Sequence, residues 1–180
     1  KIQETIFRCA CLQGVCSLNP GKILVSDEMG NYLLKFTGDV RVSLCGTLNR
    51  HINTIFGSEN VKRVVIDMFD AEGLDSTTLG LIAKLGLHCR KQYGINIQVF
   101  CQNSNILRTL ESMSFDEIFD IFEQLPDSDT GANLHEIGLE HLEIDEIRQQ
   151  VLDAHKVLVQ LSSDNQQEFQ DLIEALESDR

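Results

Sequence analysis

Asp75, Ser76, Thr77 and Thr78 place one carboxylate and three hydroxyls in a row, with Leu79 and Gly80 directly behind them. Asp and Ser are favoured helix N-caps, so the run marks a helix start. There the first backbone N–H groups have no intrahelical partner and the helix dipole is positive, a combination that favours a phosphate. Ser76 is therefore a candidate phosphoacceptor as well as a capping residue. Modification would add about −1.5 to −2 charges at neutral pH. A helix N-terminus tolerates that charge; an apolar or acidic partner surface pressed against it does not.

Other chemistry fails on spacing. A Cys-x5-Arg phosphate loop starting at Cys101 needs Arg where Leu107 stands, and Arg108 comes one residue late. His135 and Glu136 open an H-E-x-x-H zinc pattern, but Leu139 occupies its last ligand position. His135, His141 and His155 are expected to be solvated helix positions. Cys9, Cys11 and Cys16 supply three thiols and no fourth ligand, so neither a metal nor a cofactor is expected. The chain has no Walker lysine loop and no G-x-G-x-x-G turn, and no catalytic set is assigned. Asp67 and Asp75 are expected to orient the loop or assist a kinase rather than bind metal.

The elements that must hold Ser76 follow from hydrophobic period. Residues 23–27 and 32–36 read as two strands around a Met29-Gly30 hairpin turn. Leu44, Leu48, Ile52, Ile55 and Phe56 recur at helical spacing. Val64, Val65 and Ile66 form a β-branched run expected in a central strand, with a short polar turn before Asp75. Leu79, Ile82, Leu85, Gly86, Cys89 and Tyr93 stripe the next helix. Residues 95–101, 106–113 and 118–122 then give strand, helix and strand. Parallel neighbours need helical crossovers, so this order predicts a mixed sheet packed against helices.

Two further segments flank that core. Residues 1–22, broken at Asn19-Pro20-Gly21, read as a loosely ordered leader, and 126–142 as a linker. In 143–180, Ile144, Ile147, Val151, Ala154, Leu158 and Leu161 form a heptad-like seam, and Phe169, Leu172, Ile173 and Leu176 follow on a second helix that Ser163 and Gln166 would cap. Such a helical hairpin requires a cover: the parent domain, a second copy in a homo-oligomer, or a partner helix. Net charge is −13, and residues 126–180 hold 3 basic against 14 acidic side chains. That surface repels nucleic acid and anionic lipid and favours basic protein partners. No apolar run is long enough for a membrane span, and no signal peptide pattern is present, so a cytoplasmic location is expected.

The stretch VKRVVIDMFDAEGLDSTTLGLIAKLGLHC, an aliphatic strand running to D-S-T-T-L-G, resembles the STAS domain (sulfate transporter and anti-sigma factor antagonist), and within it the bacterial anti-sigma factor antagonists. The resemblance covers 23–123, with YLLKFTGDV before the first helix and NSNILRTLESMSFDEIFDIF at the close; Thr78 stands where the family usually carries a small residue. It implies a STAS-like α/β domain over 23–125 that binds an anti-sigma factor, or a serine kinase of the histidine-kinase-like ATPase fold, when Ser76 is unphosphorylated. It further implies a metal-dependent serine phosphatase as a second partner, and no enzymatic activity of its own. Ser76 would be the acceptor, with Asp39, Asp75, Thr77, Thr78, Leu79 and Gly80 forming the contact surface. The alternative is a STAS accessory subunit of a transport or other assembly with no phosphorylation cycle.

Overall fold

The computed structural model describes residues 19–124 and 133–178. Cys9, Cys11 and Cys16, with most of the leader, lie outside the described residues. Strands β1 (Lys22–Glu28) and β2 (Asn31–Val40) join through Met29 and Gly30, whose φ values of 53° and 87° match a two-residue hairpin turn. There follow a 3-10 turn (Val42–Leu44), α1 (Cys45–Phe56), β3 (Arg63–Leu74), α2 (Ser76–Tyr93), β4 (Ile97–Phe100), α3 (Ser104–Ser112), a second 3-10 turn (Phe115–Glu117) and β5 (Phe119–Phe122). The chain continues through β6 (His135–Glu136), α4 (Ile144–Leu158) and α5 (Ser163–Ser178).

The sheet order is β5-β4-β3-β2-β1-β6. Strands β2 to β5 pair in parallel, while β1 runs antiparallel to both its neighbours. This is the mixed α/β sheet that the alternation of periods predicts. Its core is formed by alternate side chains of β2 (Leu34, Phe36), the β3 run Val64, Ile66 and Met68, and the inward stripe of α1 (Leu48, Ile52, Ile55), all fully buried. Three described cysteines, Cys45, Cys89 and Cys101, are buried free thiols.

Two elements differ from the sequence reading. Strand β3 does not give way to a turn after Asp67 but runs on to Leu74, because backbone pairing with β2 continues through two register shifts, near Lys35/Thr37 and Gly38/Asp39. Its polar residues look like a turn only when side-chain pattern is read without the partner strand. Within the expected linker, His135–Glu136 pairs with β1, and Ile137 N–H donates to the Ile23 carbonyl at 3.0 Å. Beyond it the Thr47 hydroxyl donates to the Gly138 carbonyl at 3.0 Å and accepts from the Glu140 N–H at 2.9 Å. Leu142 then lies over Gly46, where an added Cβ would come within 2.7 Å of Leu142 Cδ1. The segment entering the hairpin is thus stitched along the domain.

The hairpin packs chiefly on α2, with a smaller contact to α1. Helix α4 opens with a capping box between Glu143 and Glu146. Ser162, not Ser163, caps the next helix: its Oγ accepts from the Asn165 N–H at 3.2 Å. The seam is buried only from Val151 onward, since Ile144 is 68% exposed. Consequently the first two turns of α2, buried from Thr77 to Ala83, lie between the sheet and the hairpin, while its C-terminal end carries exposed Arg90, Lys91 and Gln92.

Candidate functional site

Asp75 fixes the start of α2. In extended conformation at the N-cap, it accepts from the Thr78 N–H at 2.8 Å through Oδ1 and from the Val42 N–H at 2.5 Å through Oδ2. One carboxylate therefore ties the loop after β2 to the loop after β3. Burial pushes its pKa up, against the pull of both N–H groups. Asp39 sits on β2 opposite Gly73 and pairs with Arg41 at 2.8 Å. Asp67, further back on β3, is buried, pairs with Lys35 at 3.1 Å and accepts from the Phe69 N–H at 2.9 Å, while Lys35 also reaches Asp70 at 2.6 Å. Its role is to brace the strand, away from Ser76.

Of the three adjacent hydroxyls, only that of Ser76 is half-buried; Thr77 and Thr78 are 5% and 1% exposed. Leu79 and Gly80 are buried too. Ser76 lines a cavity of about 570 Å³ between the strand ends, α3 and α5, to which Asp39, Arg41, Glu72, Arg108 and Phe169 contribute. Arg41 is already paired with Asp39, and Glu72, Asp75 and Glu168 also line the cavity, so its means of receiving a phosphate are the helix start and Arg108.

The other side of the Ser76 hydroxyl meets the hairpin. His155 Nε2 lies 2.9 Å from Ser76 Oγ, and His155 Nδ1 lies 2.7 Å from the Val151 carbonyl. A carbonyl only accepts, so Nδ1 carries the proton and Nε2 presents a lone pair to the Ser76 O–H. Burial lowers the His155 pKa and favours this neutral form, opposed by the field of Asp75. The ring is 1% exposed and meets Phe169 edge-on at 5.0 Å. The solvated position expected for His155 is therefore incorrect. Sequence spacing did carry a signal: His155 stands four residues after Val151, on the face of α4 that the apolar seam marks. Asn165 was missed as well, and it is equally enclosed. Its Nδ2 donates to the Met113 carbonyl at 3.1 Å and the Leu158 carbonyl at 3.0 Å, binding the hairpin to the end of α3.

His135 and Glu136 form the exposed strand β6, and no group of three or more His, Cys, Asp or Glu side chains suited to a metal occurs among the described residues. Also among the described residues, no helix is long and apolar enough to cross a membrane.

Comparison with known proteins places this geometry in context. Residues 23–128 match the model of the STAS domain. Among solved structures, an anti-sigma factor antagonist from Mycobacterium paratuberculosis superposes with a TM-score of 0.51 at 18% identity, covering 63% of this chain and 95% of that one. The anti-sigma factor antagonist SpoIIAA in its unphosphorylated form gives a TM-score of 0.47 at 12% identity, covering 57% of this chain and 87% of that one. At such identities the first likeness speaks for the fold alone. No curated protein sequence matches the chain.

Proposed function

The chain belongs to the STAS domain family, and from that premise we propose that it is a phosphorylation-controlled binding protein of the anti-sigma factor antagonist kind. In this reading Ser76 is the acceptor, and the unmodified domain binds an anti-sigma factor or a serine kinase. The observation that carries it is the selective exposure at the start of α2: the Ser76 hydroxyl borders a cavity with Arg41 and Arg108, while Thr77 and Thr78 are closed off. The family resemblance of the D-S-T-T-L-G run supports the same residue. Asp75 holds the loop in place, and a metal-dependent phosphatase would reset the switch. Binding, rather than turnover, is the work assigned to the domain.

The test is recovery of the tagged wild-type chain and of Ser76→Ala from the native cell, with phosphosites and bound proteins read by mass spectrometry. A phosphopeptide at Ser76, and one ATPase-fold partner enriched on Ser76→Ala, are the expected results. Absence of phosphate at Ser76 under every growth condition in which the protein is made would overturn the reading.

A further inference from the structure

The surface assigned above to a partner already has an occupant. Helix α4 crosses α2 so closely at Gly80 that a Cβ built there would lie 2.4 Å from the Ala154 carbonyl oxygen and 2.8 Å from the Ala154 Cβ. One turn away, His155 Nε2 takes the Ser76 hydroxyl proton in a hydrogen bond. Thr77, Thr78 and Leu79 are closed off between the sheet and this helix. Asn165 and Phe169 on α5 complete the cover, one on the Met113 carbonyl and the other against the His155 ring.

We infer that the Ser76–Gly80 face of α2 is a helix-docking surface which the chain's own C-terminal hairpin holds closed, and that a phosphate on Ser76 opens it. The inference rests on the assignment of Ser76 as the acceptor and adds that a partner of the unmodified chain reaches this face only by displacing the hairpin, while a phosphate on Ser76 sheds the hairpin and, by its charge, refuses that partner too. The hairpin and any external partner that binds this face exclude one another, because a contact that leaves no room for a methyl group leaves none for a second helix. The kind of partner that fits is read from the present occupant: a helix presenting a small residue at Gly80 and a hydrogen-bond acceptor at Ser76.

Modification reverses the polarity of the Ser76 contact. The hydroxyl is a donor to a ring whose other nitrogen is already committed to the Val151 carbonyl. A phosphate dianion offers acceptors only, so its lone pairs would face the Nε2 lone pair of the buried His155 ring with the Asp75 carboxylate nearby. The hairpin laid over that charge is itself acidic: α4 and α5 together carry 8 acidic against 2 basic side chains. Modification removes the donor that holds α4, and Arg108 on the cavity side draws the phosphate away from His155.

The experiment uses the full chain with phosphoserine installed at position 76 by genetic-code expansion, compared with the unmodified chain by hydrogen exchange. The amides of α4 and α5 are expected to exchange about tenfold faster or more in the phosphorylated chain, with β1 to β5 unchanged. Unchanged exchange in the hairpin would mean that His155 takes a proton and pairs with the phosphate, and the inference would fall. A second variant, Gly80→Ala, removes the close crossing without adding charge and should also free α4 and α5. Faster exchange in the sheet as well as the hairpin, in either chain, would show a loss of fold rather than an opening, and would equally overturn the inference. A hairpin that stays shut over phosphoserine while cells phosphorylate Ser76 would leave the proposed function standing and remove this inference. A hairpin that opens while cells never phosphorylate Ser76 would do the reverse.

Discussion

The sheet-side core and the C-terminal hairpin are made of the same kinds of side chain but held by different means. In the core, Leu34, Phe36, Leu48, Ile66 and Ile82 are wholly buried among strands and helices that contact one another from several directions. The hairpin's own cluster comprises Val151, Leu152, Ile173 and Leu176, with partly buried neighbours. Leu158 and Phe169, two further buried side chains of the hairpin, belong to the core of the parent domain. A two-helix unit with so few apolar contacts of its own cannot offset the chain entropy of ordering it, so its order is borrowed from α2. The domain is therefore expected to remain folded while the hairpin leaves, whereas the hairpin is not expected to stay folded once detached.

The largest effect should come from cutting into the shared core. Ile66→Ala removes a fully buried branched side chain from the central strand and should lower stability by about 2–5 kcal/mol, read by denaturant unfolding of the whole chain. Circular dichroism and hydrogen exchange should lose sheet and hairpin together. Retention of hairpin protection after the sheet has melted would break the comparison.

Asn165→Ala separates the two regions. It deprives the Met113 carbonyl of its donor, at a cost of about 1–3 kcal/mol when that group stays buried, while the Leu158 carbonyl keeps the Leu161 N–H. Hydrogen exchange should rise in α4 and α5 while the sheet keeps its protection; equal loosening of both regions would show that they unfold as one unit.

A smaller effect is expected from pH. Because burial depresses the His155 pKa below the ordinary value of about 6.5, the unfolded segment binds a proton more readily than the docked one. Its contribution to docking is therefore fully present above the ordinary value and falls as pH drops toward the depressed one. His51 and His88 are shifted the same way by burial, so the wild-type dependence must be compared with His155→Phe, which keeps their contributions. Hairpin protection, taken relative to the intrinsic amide exchange rate at each pH, should fall between about pH 7.5 and about pH 5 more steeply in the wild type than in the variant. Parallel pH profiles would remove His155 from the docking account.

The smallest effect belongs to the surface. Lys156 and Glu177 pair at 2.5 Å across the hairpin, with side chains 44% and 49% exposed. Glu177→Gln should change melting by no more than about 1 kcal/mol, and less in high salt. A larger loss would mean that ion pairing, not contact with α2, orders the hairpin.

Much of this architecture was legible in the residues. The Val64–Ile66 run, the Asp75 cap and the Gly94 stop, which adopts φ 67°, each follow from one local rule of side-chain or backbone preference. What stayed hidden depends on a distant partner. The length of β3 is set by β2, and the two exposed residues of β6 have no periodicity to announce them. The cover on Ser76 was half visible: Leu81 and Ala83 are apolar on the side of α2 away from its main stripe, which required a second packing layer. Which helix supplies that layer, and that His155 rather than an apolar residue meets Ser76, is a matter of register that spacing along one helix does not contain.

The stitched approach to α4 has a consequence for any molecule that competes for α2. Thr47, the β6 pairing and Leu142 over Gly46 leave almost no slack before the hairpin begins, so a released hairpin re-encounters its site as though present at about millimolar concentration. A freely diffusing competitor at micromolar levels therefore meets a threshold set by tether length. Lengthening the chain between Leu142 and Glu143 would retune that threshold with the Leu142 contact and the α2 face left in place.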